Sequence, residues 1–198
     1  MAVAPRTAAA DAPSPVDVVV REGAPARRVV VVGWNPLTLL IAKASVDVVV
    51  APVDHHAVVL VPFYASTTSA PLATSRTDAA GNVVQLPAQT FRAFGGEVGY
   101  RYYSGEGGPR GAFVGSSVLL GSVRATAADG RETPFVTYGV AADVGYEALV
   151  ADRIALSVGA GAQFSATSRS IPNQQLPASL YANSGVEPRV LLAVGYAF

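Results

Sequence analysis

V-E-P-R-V-L-L-A-V-G-Y-A-F, residues 186–198, carries two different surfaces on alternate positions. Val186, Pro188, Val190, Leu192, Val194, Tyr196 and Phe198 are all apolar or aromatic, whereas Glu187, Arg189, Leu191, Ala193, Gly195 and Ala197 are mostly charged or small. A β-strand sends successive side chains to opposite faces of its sheet, so this segment has one greasy face and one wet or tightly packed face. The segment is expected to be the closing strand of a small transmembrane β-barrel, with the apolar side toward lipid.

Composition points the same way. The chain has 198 residues, 51% of them hydrophobic, yet only 14% are charged, where a quarter is usual. Such a balance suits a protein whose outside does not all face water. No stretch of eighteen uninterrupted apolar residues occurs; the richest region, 29–53, is broken by Asn35, Lys43 and Asp47. A transmembrane helix is therefore not expected, and a bilayer-spanning chain must close its strands into a barrel to satisfy every backbone group. The absence of cysteine excludes disulfides and cysteine-based metal or redox chemistry. Fourteen basic residues balance fourteen acidic ones without a basic stripe, which argues against a nucleic-acid partner. The N-terminus lacks the apolar core of a signal peptide, and Ala8-Ala9-Ala10-Asp11 resembles sequence just past a cleavage site, so any export signal is expected to be missing from this numbering.

Residues 1–26, rich in Ala and Pro, are expected to form a flexible lead-in, and 27–198 the barrel. Alternation marks strands at 37–51, 91–103, 135–148, 154–165 and 186–198; 57–65 and 111–124 are strand-like, but valine on both faces of the first leaves its phase open, as does the mixed pattern of the second. These are seven strands. An even number is expected, so an eighth is placed at 27–32, turning at Trp34-Asn35-Pro36. The connections 52–56, 104–110 and 149–153 are short and should share the periplasmic end, whereas 66–89, 127–134 and 169–185 should lie outside. The fold class expected is thus all-β: an eight-stranded antiparallel up-and-down transmembrane barrel.

Alternation alone also suits a soluble lipocalin-like barrel with the apolar face turned inward around a hydrophobic ligand. Two features favour the membrane alternative. The wet faces are rich in Gly, Ala and Ser rather than Lys and Glu, as a narrow lumen requires. Aromatic residues sit near the ends of the apolar faces: Phe94, Tyr100, Tyr102, Tyr138, Tyr146 and Phe164. Phe94 to Tyr102 spans roughly 20 Å of barrel height at a strand tilt near 40°, close to an apolar band of about 25 Å between aromatic girdles.

Residues 190–198, with Tyr196 and the terminal Phe198, resemble the C-terminal β-signal of outer-membrane proteins, and the turn after Gly145-Tyr146-Glu147, through Ala151-Asp152-Arg153, is similar to the periplasmic turns of small OmpA- and OmpX-like barrels. The resemblance implies a bacterial outer-membrane location, contact with outer-membrane lipid, and insertion by the barrel-assembly machinery. On this phasing Lys43, Asp47, Glu97, Arg101, Asp143, Glu147, Glu187 and Arg189 face inward. Charges in a narrow lumen must pair, and a salt-bridge network with Arg101 and Arg189 as hubs is expected. Enzymes among similar small barrels rely on a histidine near the external side. Here His55 and His56 occupy a short turn on the opposite side, and no serine–base pair accompanies them. No catalytic residue, cofactor or metal is therefore expected; Asp54-His55-His56 suits a solvated turn better than a metal site, and Gly105-Glu106-Gly107-Gly108 lacks the strand–loop–helix setting and lysine of a phosphate loop. The expected role is envelope structure, anchoring, or presentation of the external loops to a partner.

Overall fold

A computed structural model describes residues 29–68, 75–77, 83–85, 90–126, 130–169 and 185–198. The lead-in expected at 1–26 lies outside the described residues, as does most of the loops at 66–89 and 169–185. Eight antiparallel strands close into a barrel: β1 (Val29–Trp34), β2 (Lys43–Val53), β3 (His56–Thr68), β6 (Thr90–Tyr103), β7 (Gly111–Thr126), β8 (Glu132–Val150), β9 (Ile154–Thr167) and β10 (Gly185–Ala197). The short strands β4 (Ser75–Thr77) and β5 (Val83–Gln85) pair as a separate hairpin within the longest connection, which had been expected to be loop throughout. Each barrel strand pairs with its sequence neighbour in the barrel, and β10 returns to β1. The seam is completed at its end by Phe198 N–H donating to Val30 O at 2.8 Å.

The first two strands differ from expectation. The strand placed at 27–32 is β1, Val29–Trp34, and the strand placed at 37–51 begins only at Lys43. Between them Pro36–Ile41 forms a 3-10 helix. Asn35 initiates it, its side-chain oxygen accepting from Leu37 N–H at 3.0 Å, and Pro36 follows with a φ already suited to a helical first turn. Ala42 ends it in the left-handed region, φ 54°, its N–H donating to Leu39 O. Leu40 and Ala42, assigned to a strand face from their spacing, therefore belong to no strand.

The short connections at 54–55, 104–110 and 151–153 share one end of the barrel with β1's start and Phe198, and the long ones share the other. At 150–153 the turn is of the mirror-image type, with positive φ at Ala151 (51°) and Asp152 (56°) and Arg153 N–H donating to Val150 O at 3.1 Å; its twist matches that of the flanking strands. The glycine-rich segment at 104–110 is likewise a turn, tied by Gly105 N–H to Arg110 O (3.0 Å) and by Gly107 N–H to Asp54 Oδ1 (3.1 Å).

Register fixes which way each face points. Val140, Val158, Val190, Val194, Leu156 and Tyr146 are exposed on the outside of the barrel, while Glu97, Asp143 and Glu147 are buried inside. The two strands of open phase follow suit: Ala57, Val59 and Ala65 of β3 turn inward with Val58, Leu60 and Tyr64 outward, and β7 sends Phe113, Ser117 and Val123 inward with Val114, Val118 and Leu120 outward. The lumen is not filled by polar groups alone. An apolar cluster including Val29, Val31, Val49, Val59, Tyr103 and Phe113 fills the short-turn end, and a second, including Phe91, Val123 and Phe135 with Phe63 against it, occupies one side of the long-loop end. Aromatic rings reach over glycines here: a Cβ at Gly145 would lie 2.5 Å from Phe113 Cζ, so only glycine leaves the ring its place.

Candidate functional site

The charged side chains meet between the two apolar clusters. One cross-strand row runs Ala57, Arg101, Gly115, Asp143, Gly161, Arg189 across β3, β6, β7, β8, β9 and β10. Charged residues alternate with glycine along it, so each long side chain can lie flat over a neighbour that has none. A Cβ at Gly161 would collide with the Asp143 carboxylate and the Ala142 carbonyl.

Arg189 is the hub. Its Nη2 donates to both carboxylate oxygens of Glu97, at 3.2 and 3.1 Å, and its Nε lies 3.1 Å from Asp143 Oδ1. The latter is an ion-pair contact rather than an aligned hydrogen bond, since that oxygen has no hydrogen-bond partner. The side chains are 16%, 9% and 4% exposed for Arg189, Glu97 and Asp143 respectively, so the triad is largely removed from solvent. In the circuit of eight strands β6 stands opposite β10. The Arg189–Glu97 bridge therefore crosses the lumen and braces two walls that share no backbone hydrogen bond.

Arg101, expected as the second hub, plays a different part. Its guanidinium stacks over the Phe113 ring, 4.6 Å from the centroid, and among the described residues no carboxylate lies within ion-pair distance of it. Glu147 is instead held by the Tyr103 hydroxyl, which donates to its Oε2 at 2.8 Å. Both Tyr103 and Glu147 are fully buried. The reason is depth: Arg101 sits in the row of Asp143, whereas Tyr103 sits with Phe113 one inward position nearer the short-turn end, and reaches Glu147. Lys43 likewise finds a ring, with Nζ 4.3 Å from the Phe63 centroid. Lys43, Asp47, Glu97, Arg101, Glu187 and Arg189 also line one cavity of about 260 Å³ toward the long-loop end, with Gln163 and Ser165 hydrogen-bonded to each other at 2.7 Å on its wall.

Arg189, Glu97 and Asp143 come together, with Glu147 in a separate pair and Lys43 and Arg101 on aromatic rings. Tyr103, Phe63 and Phe113 were missed as lumenal partners. Tyr103 was legible: it follows Glu97 and Arg101 at even spacing on the inward face of β6.

Outside the barrel, the six aromatics assigned to girdles are all exposed: Phe94, Tyr138 and Phe164 toward the long-loop end, Tyr100, Tyr102 and Tyr146 toward the short-turn end. Trp34 and Tyr64 join the first group, and Tyr196, packed edge-on against Phe198, joins the second. His55 and His56 sit by the short-turn group. His55 Nδ1 contacts Tyr103 O at 2.9 Å, while the His56 ring packs against Tyr100 and Tyr102. Among the described residues no cluster of His, Asp and Glu could hold a metal ion. No protein-family model matches the chain, and no curated protein matches it.

Proposed function

We propose that the chain is an integral β-barrel of a bacterial outer membrane, serving the envelope as a structural anchor or a platform for its long loops, without enzymatic activity. One observation carries this reading. The outer wall between the two rings of aromatics is apolar apart from Ser116, with Val46, Leu60, Val98, Val118, Val140, Val144, Val158 and Val190 all exposed, while Lys43, Asp47, Glu97, Arg101, Asp143 and Arg189 turn into the lumen. A water-soluble barrel would leave this band as a contiguous greasy surface far larger than soluble monomers expose. A lipocalin-like carrier needs the opposite arrangement, with the apolar stripe inside around a ligand; here the centre of the lumen holds Arg189, Glu97 and Asp143.

In this reading, lipid covers the band, Tyr196 and Phe198 serve the barrel-assembly machinery, and the short-turn end faces the periplasm. The apolar plug at that end supports a barrel that does not conduct. His55 and His56, engaged with tyrosines at that same end and far from the long loops, support a non-catalytic role.

The test places Asp at Val140 and Val158 separately, purifies the chain, and measures insertion into phosphatidylcholine vesicles, with gel mobility before and after boiling reporting the closed barrel. A charge at mid-band should hinder insertion by an amount that depends on depth. Wild-type protein that stays soluble without detergent, or variants that insert as well as wild type, would overturn the reading.

A further inference from the structure

Among the described residues of the barrel strands, the carboxylates and guanidiniums that face outward gather at one place. Within the barrel strands the acidic and basic side chains point inward apart from His56, at the short-turn end against Tyr100 and Tyr102, and from Arg92 of β6, Arg124 of β7 and Glu132 of β8, which are exposed outward at the long-loop end. Arg92 and Arg124 are direct cross-strand partners, a placement in which like charges repel. Arg124 Nη1 lies 3.2 Å from Glu132 Oε2, which offsets part of the repulsion and leaves the trio with a net positive charge. Ser66 stands directly across from Arg92 on its other side, and Ser122 lies one outward position below Arg124, so two hydroxyls flank two guanidiniums.

Immediately below this patch, one outward position toward the middle of the wall, come Tyr64 and Phe94, then Leu120, Val98 and Val118, all exposed. A basic, hydroxyl-bearing shelf on top of an apolar wall matches an amphiphile with an anionic head and an acyl tail. At the other end Arg110 is bound to Asp152, and Arg153 lies in the turn beyond the strands, without a cross-strand arginine beside it.

We propose that Arg92 and Arg124, with Ser66 and Ser122, form a binding site for the phosphomonoester headgroup of a membrane lipid whose acyl chains lie along Tyr64, Phe94 and Leu120. Two guanidinium forks can each give paired N–H donors to phosphate oxygens, and an anion between them removes the like-charge repulsion. The inference rests on the membrane reading above.

The experiment refolds wild type, Arg92→Gln/Arg124→Gln and Glu132→Gln into neutral phosphatidylcholine micelles, confirms closure by heat-modifiable mobility, and measures retention of added phosphatidic acid by native mass spectrometry. Failure of the wild type to enter the micelles sinks the membrane reading itself. If all three fold, the double variant should lose affinity for phosphatidic acid by about tenfold or more, as loss of charge-assisted hydrogen bonds demands. Glu132→Gln should bind more tightly, because it frees Arg124 from a competing carboxylate. Equal retention by wild type and the double variant, or weaker retention by Glu132→Gln, would overturn the site. Displacement of the lipid by millimolar inorganic phosphate would also overturn it, by showing that the shelf reads free phosphate and not a lipid.

Discussion

Replacing Arg189 by Met removes the cation that, among the described residues, contacts both buried carboxylates Glu97 and Asp143. Met matches arginine only as far as Nε, so the packing of the inner methylenes survives and what is lost is the guanidinium with its charge. Glu97 gives up the shared hydrogen bonds at 3.1 and 3.2 Å, and Asp143 its ion-pair contact at 3.1 Å. Each contact is worth about 4 kcal/mol of attraction near 4 Å at an effective dielectric of about 20. The desolvation of arginine, recovered in the variant, offsets much of that sum. What remains is the cost of leaving buried carboxylates uncompensated, about 3–5 kcal/mol. The assay is urea unfolding of the detergent-refolded barrel, with closure followed by heat-modifiable mobility. Arg189→Met should lower the unfolding free energy by that amount, and adding Glu97→Gln and Asp143→Asn in the same chain should recover most of it, because no charge is then left alone. A loss below about 1 kcal/mol for Arg189→Met, the size expected of a solvent-exposed pair, would refute the reasoning: the lumen would then hold enough water to solvate both carboxylates. Absence of recovery in the triple variant would refute it as well.

Gly161→Ala should destabilise the barrel by about 1–3 kcal/mol in the same urea assay, since the added methyl meets a backbone carbonyl and the Asp143 carboxylate rather than open space; a neutral outcome would mean that Asp143 does not lie across β9. Tyr103→Phe should lose about 1–3 kcal/mol, because Glu147 is fully buried and the Tyr103 hydroxyl is its hydrogen-bond donor. Adding Glu147→Gln to Tyr103→Phe should restore part of that loss, whereas no cost in the single variant would place water beside Glu147.

The direction of the greasy stripe was legible because a strand's period is two: once β8, β9 and β10 alternate cleanly, each residue's face follows from one assignment. The phase of β3 was not legible, since Val58, Val59, Leu60 and Val61 place similar side chains on both faces. Only pairing decides it, with Val59 set against Gly99 and Val49 on the inward side. The 3-10 helix was missed although its start was written in the chain. Asn35-Pro36 is a helix-initiating pair, but Leu40 and Ala42 continue the spacing of Ala44, Val46 and Val48, and the two-residue period was given precedence. The partner of Arg101 was hidden for another reason. Alternation assigns a face but no depth, and which inward residues share a layer depends on how far each strand is staggered against the next.

That stagger also explains why one arginine became the hub and the other did not. Arg101 lies beside Gly115, and the open floor there lets its guanidinium fold down onto Phe113, at the border of the apolar cluster. Arg189 has Gly161 beside it and Asp143 beyond, so its guanidinium meets a carboxylate first and then reaches across to Glu97. The same pattern of charge and glycine thus gives a cross-lumen brace on one side and a ring-stacked cation on the other, depending on what stands in the next row. Eight strands leave a lumen that side chains can fill, and bridging opposite walls ties β6 to β10, which the backbone ladder connects only through three intervening strands on either side. The brace therefore acts on the shape of the barrel's cross-section, which hydrogen bonds between neighbouring strands constrain only locally.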